Sequence, residues 1–210
     1  MMNNNNIKKE IVDICKLMAK GGLVAGTEGN VSGRDQDGRI FMTPSGYNKG
    51  DVNEDMLVEL DLEGNLISGK FKPTSEKHMH LGFYKMRKKV MGVVHGHPVF
   101  STAFASSGKN LPHNILPELV AIIGKIPIVP YGRPSSIKLA NVLAPYVCNH
   151  NVFLLKNHGA TAVGESVRDA YHRLQVAESY AKTIWAAEAL GGVQPLTSDQ
   201  IEDLPKPCYD

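Results

Sequence analysis

The sequence predicts an α/β fold with helices layered on both faces of a sheet. Three observations carry that expectation. Apolar residues recur at helical spacing near both ends of the chain. Short apolar runs bounded by turn residues lie between them. Two tight turns, Asp35-Gln36-Asp37-Gly38 and Asn157-His158-Gly159, each join neighbouring strand-like runs. Hairpins of this kind argue against an all-parallel sheet.

The elements follow in order. Ile7 to Lys20 places Ile7, Ile11, Ile14, Cys15, Leu17 and Met18 on one helical stripe, and Gly21-Gly22 stops it. The asparagine run before it reads as a frayed start. Asn30–Ser32 and Arg39–Met42 flank the first hairpin turn, and Leu57 to Asp61 is a further strand ended by Glu63-Gly64-Asn65. The stretch "KPTSEKHMHLGFYKMRKK" reads as a helix that Thr74 or Ser75 caps, with Glu76 in its first turn. Val90 to Val94 is a strand, Pro98 to Ser106 a helix, "KIPIVP" a short strand and Pro134 to Leu143 a helix. "NVFLLKNHGATAVG" reads as two strands, and Val167 to Leu190 as a long amphipathic helix ended by glycines. No repeat and no linker interrupts the chain, so residues 1–210 are expected to form a single domain.

Composition narrows the function classes. The 210 residues are 42% hydrophobic, enough for a sizeable core, and carry 23 basic against 21 acidic side chains. That balance offers no bulk charge for nucleic acid or a membrane surface. Lys85, Arg87, Lys88 and Lys89 read as a solvated helix face. Three cysteines without a C-x-x-C pair point to a reducing compartment. With no secretory h-region and no membrane-length apolar run, the expected location is cytoplasmic.

The chemistry concentrates in histidines. His95 and His97 close an apolar run, and side chains two apart on a strand share a face. His158 follows a second apolar run and also precedes a glycine. Three imidazoles delivered at strand ends would make a catalytic metal site with an open position. The competing reading is that each histidine only satisfies a polar need at a strand end. His78 and His80 form a second H-x-H, but on a helix they point about 200° apart and read as packing or surface residues. Glu76 is either an ordinary first-turn acid or a proton-transfer group beside a helix start. "TEGNVS" and "MTPSGYNKG" contribute Gly29, Asn30, Ser45 and Gly46, types that suit either a turn or an anion.

Taken together, "GTEGNVSGR", "MTPSG", "KPTSEKHMH", "VVHGHPVFSTAFA", "PYGRPSS" and "LLKNHGATAVGESVRDAYHRLQVAESYA" resemble the class II aldolase/adducin family. The resemblance runs from Ile7 to about Leu190, and the chain length is like that of L-fuculose-phosphate aldolases. It implies a mostly antiparallel sheet between helix layers and a homotetramer. It also implies a zinc ion held by His95, His97 and His158, with Glu76 as acid/base and at times a fourth ligand. The phosphate of a ketose 1-phosphate would lie against Gly29, Asn30, Ser45, Gly46, Thr74 and Ser75. Aldol cleavage would leave an enediolate of dihydroxyacetone phosphate, whose charge zinc can absorb. The chain departs from the fuculose-phosphate subgroup in one place. "NLPHNILPELVA" lacks the tyrosine that the subgroup carries after the zinc strand. Another subgroup tyrosine lies in the C-terminal tail, and the resemblance implies that Tyr209 plays that part, reaching a neighbouring subunit, while Tyr131 reads as structural. Sugar-phosphate 4-epimerases, which carry Asp where Glu76 stands, and a non-catalytic module like the adducin head are the alternatives.

Overall fold

The computed structural model describes residues 4–209. Helix α1 (Asn4–Lys20) leads into strands β1 (Asn30–Arg34), β2 (Ile40–Met42), β3 (Val58–Leu60) and β4 (Leu66–Ser68). Helix α2 (Lys77–Met86), strand β5 (Gly92–Gly96) and helices α3 (Val99–Ser107) and α4 (Pro117–Ile122) follow. The chain continues through β6 (Ile128–Val129), α5 (Ile137–Leu143), β7 (Val152–Leu155), β8 (Gly159–Gly164), α6 (Val167–Ala189) and α7 (Ser198–Glu202). The strands form one sheet in the order β4-β3-β2-β1-β5-β8-β7-β6, antiparallel throughout except for the parallel β6–β7 pair.

Alternation along the strands divides the core in two. Val31, Phe41, Val94, Leu154 and Ala162 pack on one face with α1, α4 and α6. Their neighbours Ile40, Met42, Val93, Phe153 and Val163 pack on the other face with α2 and α5. Successive side chains on a strand point to opposite faces, so fully apolar strands need helices on both sides. Burying each such side chain stabilises the fold by about 1.5–3 kcal/mol. The result is a helix–sheet–helix fold, as the sequence predicts. No helix among the described residues is long and apolar enough to cross a membrane.

Several expected boundaries shift. Helix α1 takes in Asn4 to Asn6 rather than leaving them frayed, while Asn3 lies outside the described residues. Helix α2 starts at Lys77, so neither Thr74 nor Ser75 caps it, and Glu76 stands at the N-cap position without a side-chain bond to the helix backbone. The reason lies upstream. Thr74 N donates to Thr43 O and Pro44 bridges Pro73, which holds this segment extended alongside residues 43–44. The same helix ends at Met86. Arg87 is 4% exposed and donates to Val147 O, His150 O and Asn151 Oδ1, so it is not part of a solvated basic face. Strand β5 starts at Gly92 and runs through His95 to Gly96, because Val90 is still in the turn that follows the helix.

Candidate metal centre and anion cleft

Antiparallel pairing gathers three distant segments at one end of the sheet. β1 begins, β5 ends and β8 begins there. Asn30 lies opposite His95, His95 opposite Thr161, and Gly96 opposite Ala160. His158 sits in the turn before β8, where Asn157 adopts φ 55 and His158 N donates to Leu155 O. Asparagine tolerates this left-handed conformation better than most residues, which keeps the turn short. Two glycines make room. A Cβ on Gly29, whose φ is 70, would meet Val24 Cγ1 at 2.4 Å and His95 O at 2.8 Å. A Cβ on Gly159 would meet His97 Cδ2 at 2.5 Å.

The three imidazoles converge. One nitrogen from each of His95, His97 and His158 lies within 4.8 Å of the others, and the ring centroids are 4.8–5.0 Å apart. His95, 1% exposed, donates Nδ1–H to Ala160 O at 2.9 Å. Its Nε2 therefore presents a lone pair to the centre when the ring is neutral. That Nε2 faces Glu76 Oε2 at 3.0 Å and His97 Nε2 at 3.1 Å. Electron-rich atoms so close need a proton or a cation between them. Glu76 Oε1 is buried without a hydrogen-bond partner and stands 3.5 Å from His158 Nε2. His158 Nδ1 is likewise buried and unpartnered. This donor set, imidazoles with one carboxylate, fits a divalent metal such as zinc.

Glu76 is held from behind by a chain of hydrogen bonds. Asn30 Nδ2 donates to Glu76 Oε2 at 3.2 Å, so Asn30 Oδ1 accepts from His80 Nε2–H. His80 Nδ1 then accepts from the Ser32 hydroxyl at 2.6 Å, and Ser32 accepts from Tyr84 at 2.7 Å. The direction of every bond is set by the ionised carboxylate at its end. Burial alone would raise the Glu76 pKa, but His95, His158 and the Asn30 amide outweigh it and hold the group well below the usual carboxylate range. Burial and the nearby His95 push His80 down to about 3, with Glu76 partly opposing, so its ring is neutral. Burial, followed by His95, lowers His158 to about 4.

A cleft of about 180 Å³ opens beside the histidines. Gly29, Asn30, Ser45, Gly46, Thr74 and Ser75 all line it, together with Glu76 and the three histidines. The bonds that hold Thr74 extended also bring the 43–46 loop against the start of α2, and Ser45 N donates to Lys72 O. Tyr209 is not among the lining residues. Its hydroxyl donates to Ile123 O at 2.9 Å in its own chain.

Four residues at or behind the cleft carry no site role in the sequence reading, in which His80 is a packing or surface residue. Glu28 Oε1 lies 3.4 Å from His97 Nδ1. Ser135, at φ 59, donates to Ser75 Oγ at 2.8 Å. Lys49 lines the cleft, and His80 lies behind Asn30. Glu28 and Lys49 stand inside motif stretches already notable for Gly29 and Gly46. A charged residue within a glycine-rich loop was the available signal. His80 gave none, because its partners are about fifty positions away.

Comparison with known proteins bears on the same site. The family model for the class II aldolase and adducin N-terminal domain matches residues 9–185. An L-fuculose phosphate aldolase of Methanocaldococcus jannaschii is 37% identical over 175 residues, covering 83% of this chain and 93% of that protein. A 3-oxo-tetronate 4-phosphate decarboxylase of Haemophilus influenzae is 32% identical over 201 residues, covering 94% of this chain and 95% of that protein. The crystal structure of Klebsiella pneumoniae YgbL, named only as a candidate aldolase/epimerase/decarboxylase, superposes with a TM-score of 0.90 at 31% identity. It covers 97% of this chain and 100% of that one.

Proposed function

The chain belongs to the class II aldolase and adducin family, and from that premise we propose that it is a zinc-dependent aldolase. It would cleave a ketose 1-phosphate, L-fuculose 1-phosphate or a related deoxy sugar, to dihydroxyacetone phosphate and an aldehyde. One observation carries the reading: three imidazoles and a buried carboxylate with a free oxygen share one centre beside a hydroxyl- and glycine-lined cleft. His95, His97 and His158 would hold the ion, with Glu76 beside it. A divalent cation there supplies Lewis-acid stabilisation of the negative charge that develops on the substrate's C2 and C3 oxygens.

The chain's own residues would do the rest. Gly29, Asn30, Ser45, Gly46, Thr74 and Ser75 would bind the phosphate and fix C1. The C3–C4 bond breaks with its electron pair on C3, the C4 hydroxyl loses its proton, and C3 gains one. Glu76 Oε1 would carry the C3 proton, a role supported by its lack of a hydrogen-bond partner while Asn30 holds Oε2. Removing the C4 hydroxyl proton falls, in this reading, to Tyr209 of a neighbouring copy in a cytoplasmic homotetramer.

A second reading is favoured by two observations. The decarboxylase relative aligns over 94% of this chain, and Tyr209 is bonded to Ile123 O in its own chain. Loss of carbon dioxide from a 3-oxo-tetronate 4-phosphate breaks C1–C2 and leaves the same carbanion equivalent of dihydroxyacetone phosphate. That reaction needs no base at a distal hydroxyl. Both substrates release dihydroxyacetone phosphate, so one coupled assay compares them. Faster release from L-fuculose 1-phosphate supports the aldolase. Release only from the oxo acid replaces it with the decarboxylase.

A further inference from the structure

The cleft has an unusual charge balance for a phosphate site. The residues assigned to the phosphate are all neutral, and the carboxylates of Glu28 and Glu76 face the same space. A phosphate monoester brings about −1.5 to −2 more charge at neutral pH. Among the described residues that line the cleft, Lys49 is the sole lysine or arginine.

Lys49 is 1% exposed. Its ammonium donates to Thr27 O at 3.1 Å and to Tyr47 O, which uses two of its three donors on neutral acceptors. No ion pair to Lys49 occurs among the described residues. Cys15 is no counter-charge either, since burial drives its thiol up to about 12 and keeps it neutral. Desolvation lowers the Lys49 pKa, the expected effect on a buried ammonium without an anion. Buried charges are ordinarily paired, and this one lies between the loop that leads to Gly29 and the loop that follows Gly46.

We propose that Lys49 is a specificity-determining residue that supplies the counter-charge for the substrate's phosphate group, so that ligand and lysine neutralise each other on binding. The inference rests on the reading of this cleft as a phosphate site. A lysine that only ties the two loops together would share its contacts but not its charge dependence.

The test uses full-length zinc-loaded protein as wild type, Lys49→Gln and Lys49→Arg. Inorganic phosphate is titrated by calorimetry, and zinc affinity is read by chelator competition. Lys49→Gln should weaken phosphate binding about 10- to 100-fold, Lys49→Arg should retain most of it, and zinc affinity should not change. Phosphate binding by Lys49→Gln equal to wild type overturns the proposal. Parallel loss of zinc and phosphate also overturns it, because that marks a loop staple. Wild type that binds zinc but not phosphate overturns the phosphate reading of the cleft itself.

Discussion

Glu76 uses its two oxygens differently. Oε2 takes the Asn30 amide and faces His95, while Oε1 has no hydrogen-bond partner. Glu76→Gln should fold normally yet lose about 100-fold or more in turnover, and near-normal turnover would remove Glu76 as the proton carrier. Glu28 stands behind His97 as a carboxylate stands behind a ligand histidine, at 3.4 Å from Nδ1. Glu28→Gln should therefore weaken zinc binding by about tenfold in a chelator competition. Unchanged affinity would make Glu28 a bystander. At this scale the histidine pattern was legible, because H-x-H at a strand end has a direct geometric consequence. The orientation of Glu76 was not. In sequence it looks like a first-turn acid, and only the extended, tied-down Thr74 segment turns it away from the helix and toward the histidines.

At the scale of elements, the site exists because β1, β5 and β8 are neighbours with opposite directions. The β7–β8 hairpin could be read locally from Asn157-His158-Gly159. Pairing of β1 with β5 could not, since more than fifty residues separate them and no local signal sets their register. β4 and α4 escaped for local reasons: β4 is three exposed residues with no buried face to leave a pattern, and six residues of α4 are too few to show a helical period. The turn before β8 makes a sharp prediction. Gly159→Ala places a methyl 2.5 Å from His97 Cδ2 and 2.6 Å from Gly96 O. The backbone oxygen cannot swing away, so about 1–3 kcal/mol of stability should be lost in thermal unfolding, together with zinc affinity. A variant with wild-type stability and zinc affinity would show that the close packing of His97 on this turn is unimportant.

Across the whole molecule, both sheet faces are covered, and a polar chain from Tyr84 to Glu76 crosses the covered interior. Layering was readable from apolar runs that lack polar alternation; the polar chain was not, because it alternates between two segments, residues 30–32 and 76–84, that lie far apart in sequence. It ties stability to pH. His80 titrates near 6.5 when unfolded and at about 3 when folded, and His158 moves from 6.5 to about 4. Above pH 6.5 both are neutral in both states, and their contribution is complete. As pH falls below that value, the unfolded chain takes up protons that the folded chain refuses, so stability is lost progressively toward pH 3–4. The thermal midpoint of metal-free protein should fall between pH 7 and pH 4, and less steeply in His80→Gln; equal slopes would contradict the role given to His80. The most direct measurement remains dihydroxyacetone phosphate release from L-fuculose 1-phosphate by purified protein, before and after a chelator, and again after zinc is restored. Release that stops with the chelator and returns with zinc is the predicted result. Release that continues unchanged in metal-stripped protein would contradict a metal-dependent cleavage at His95, His97 and His158.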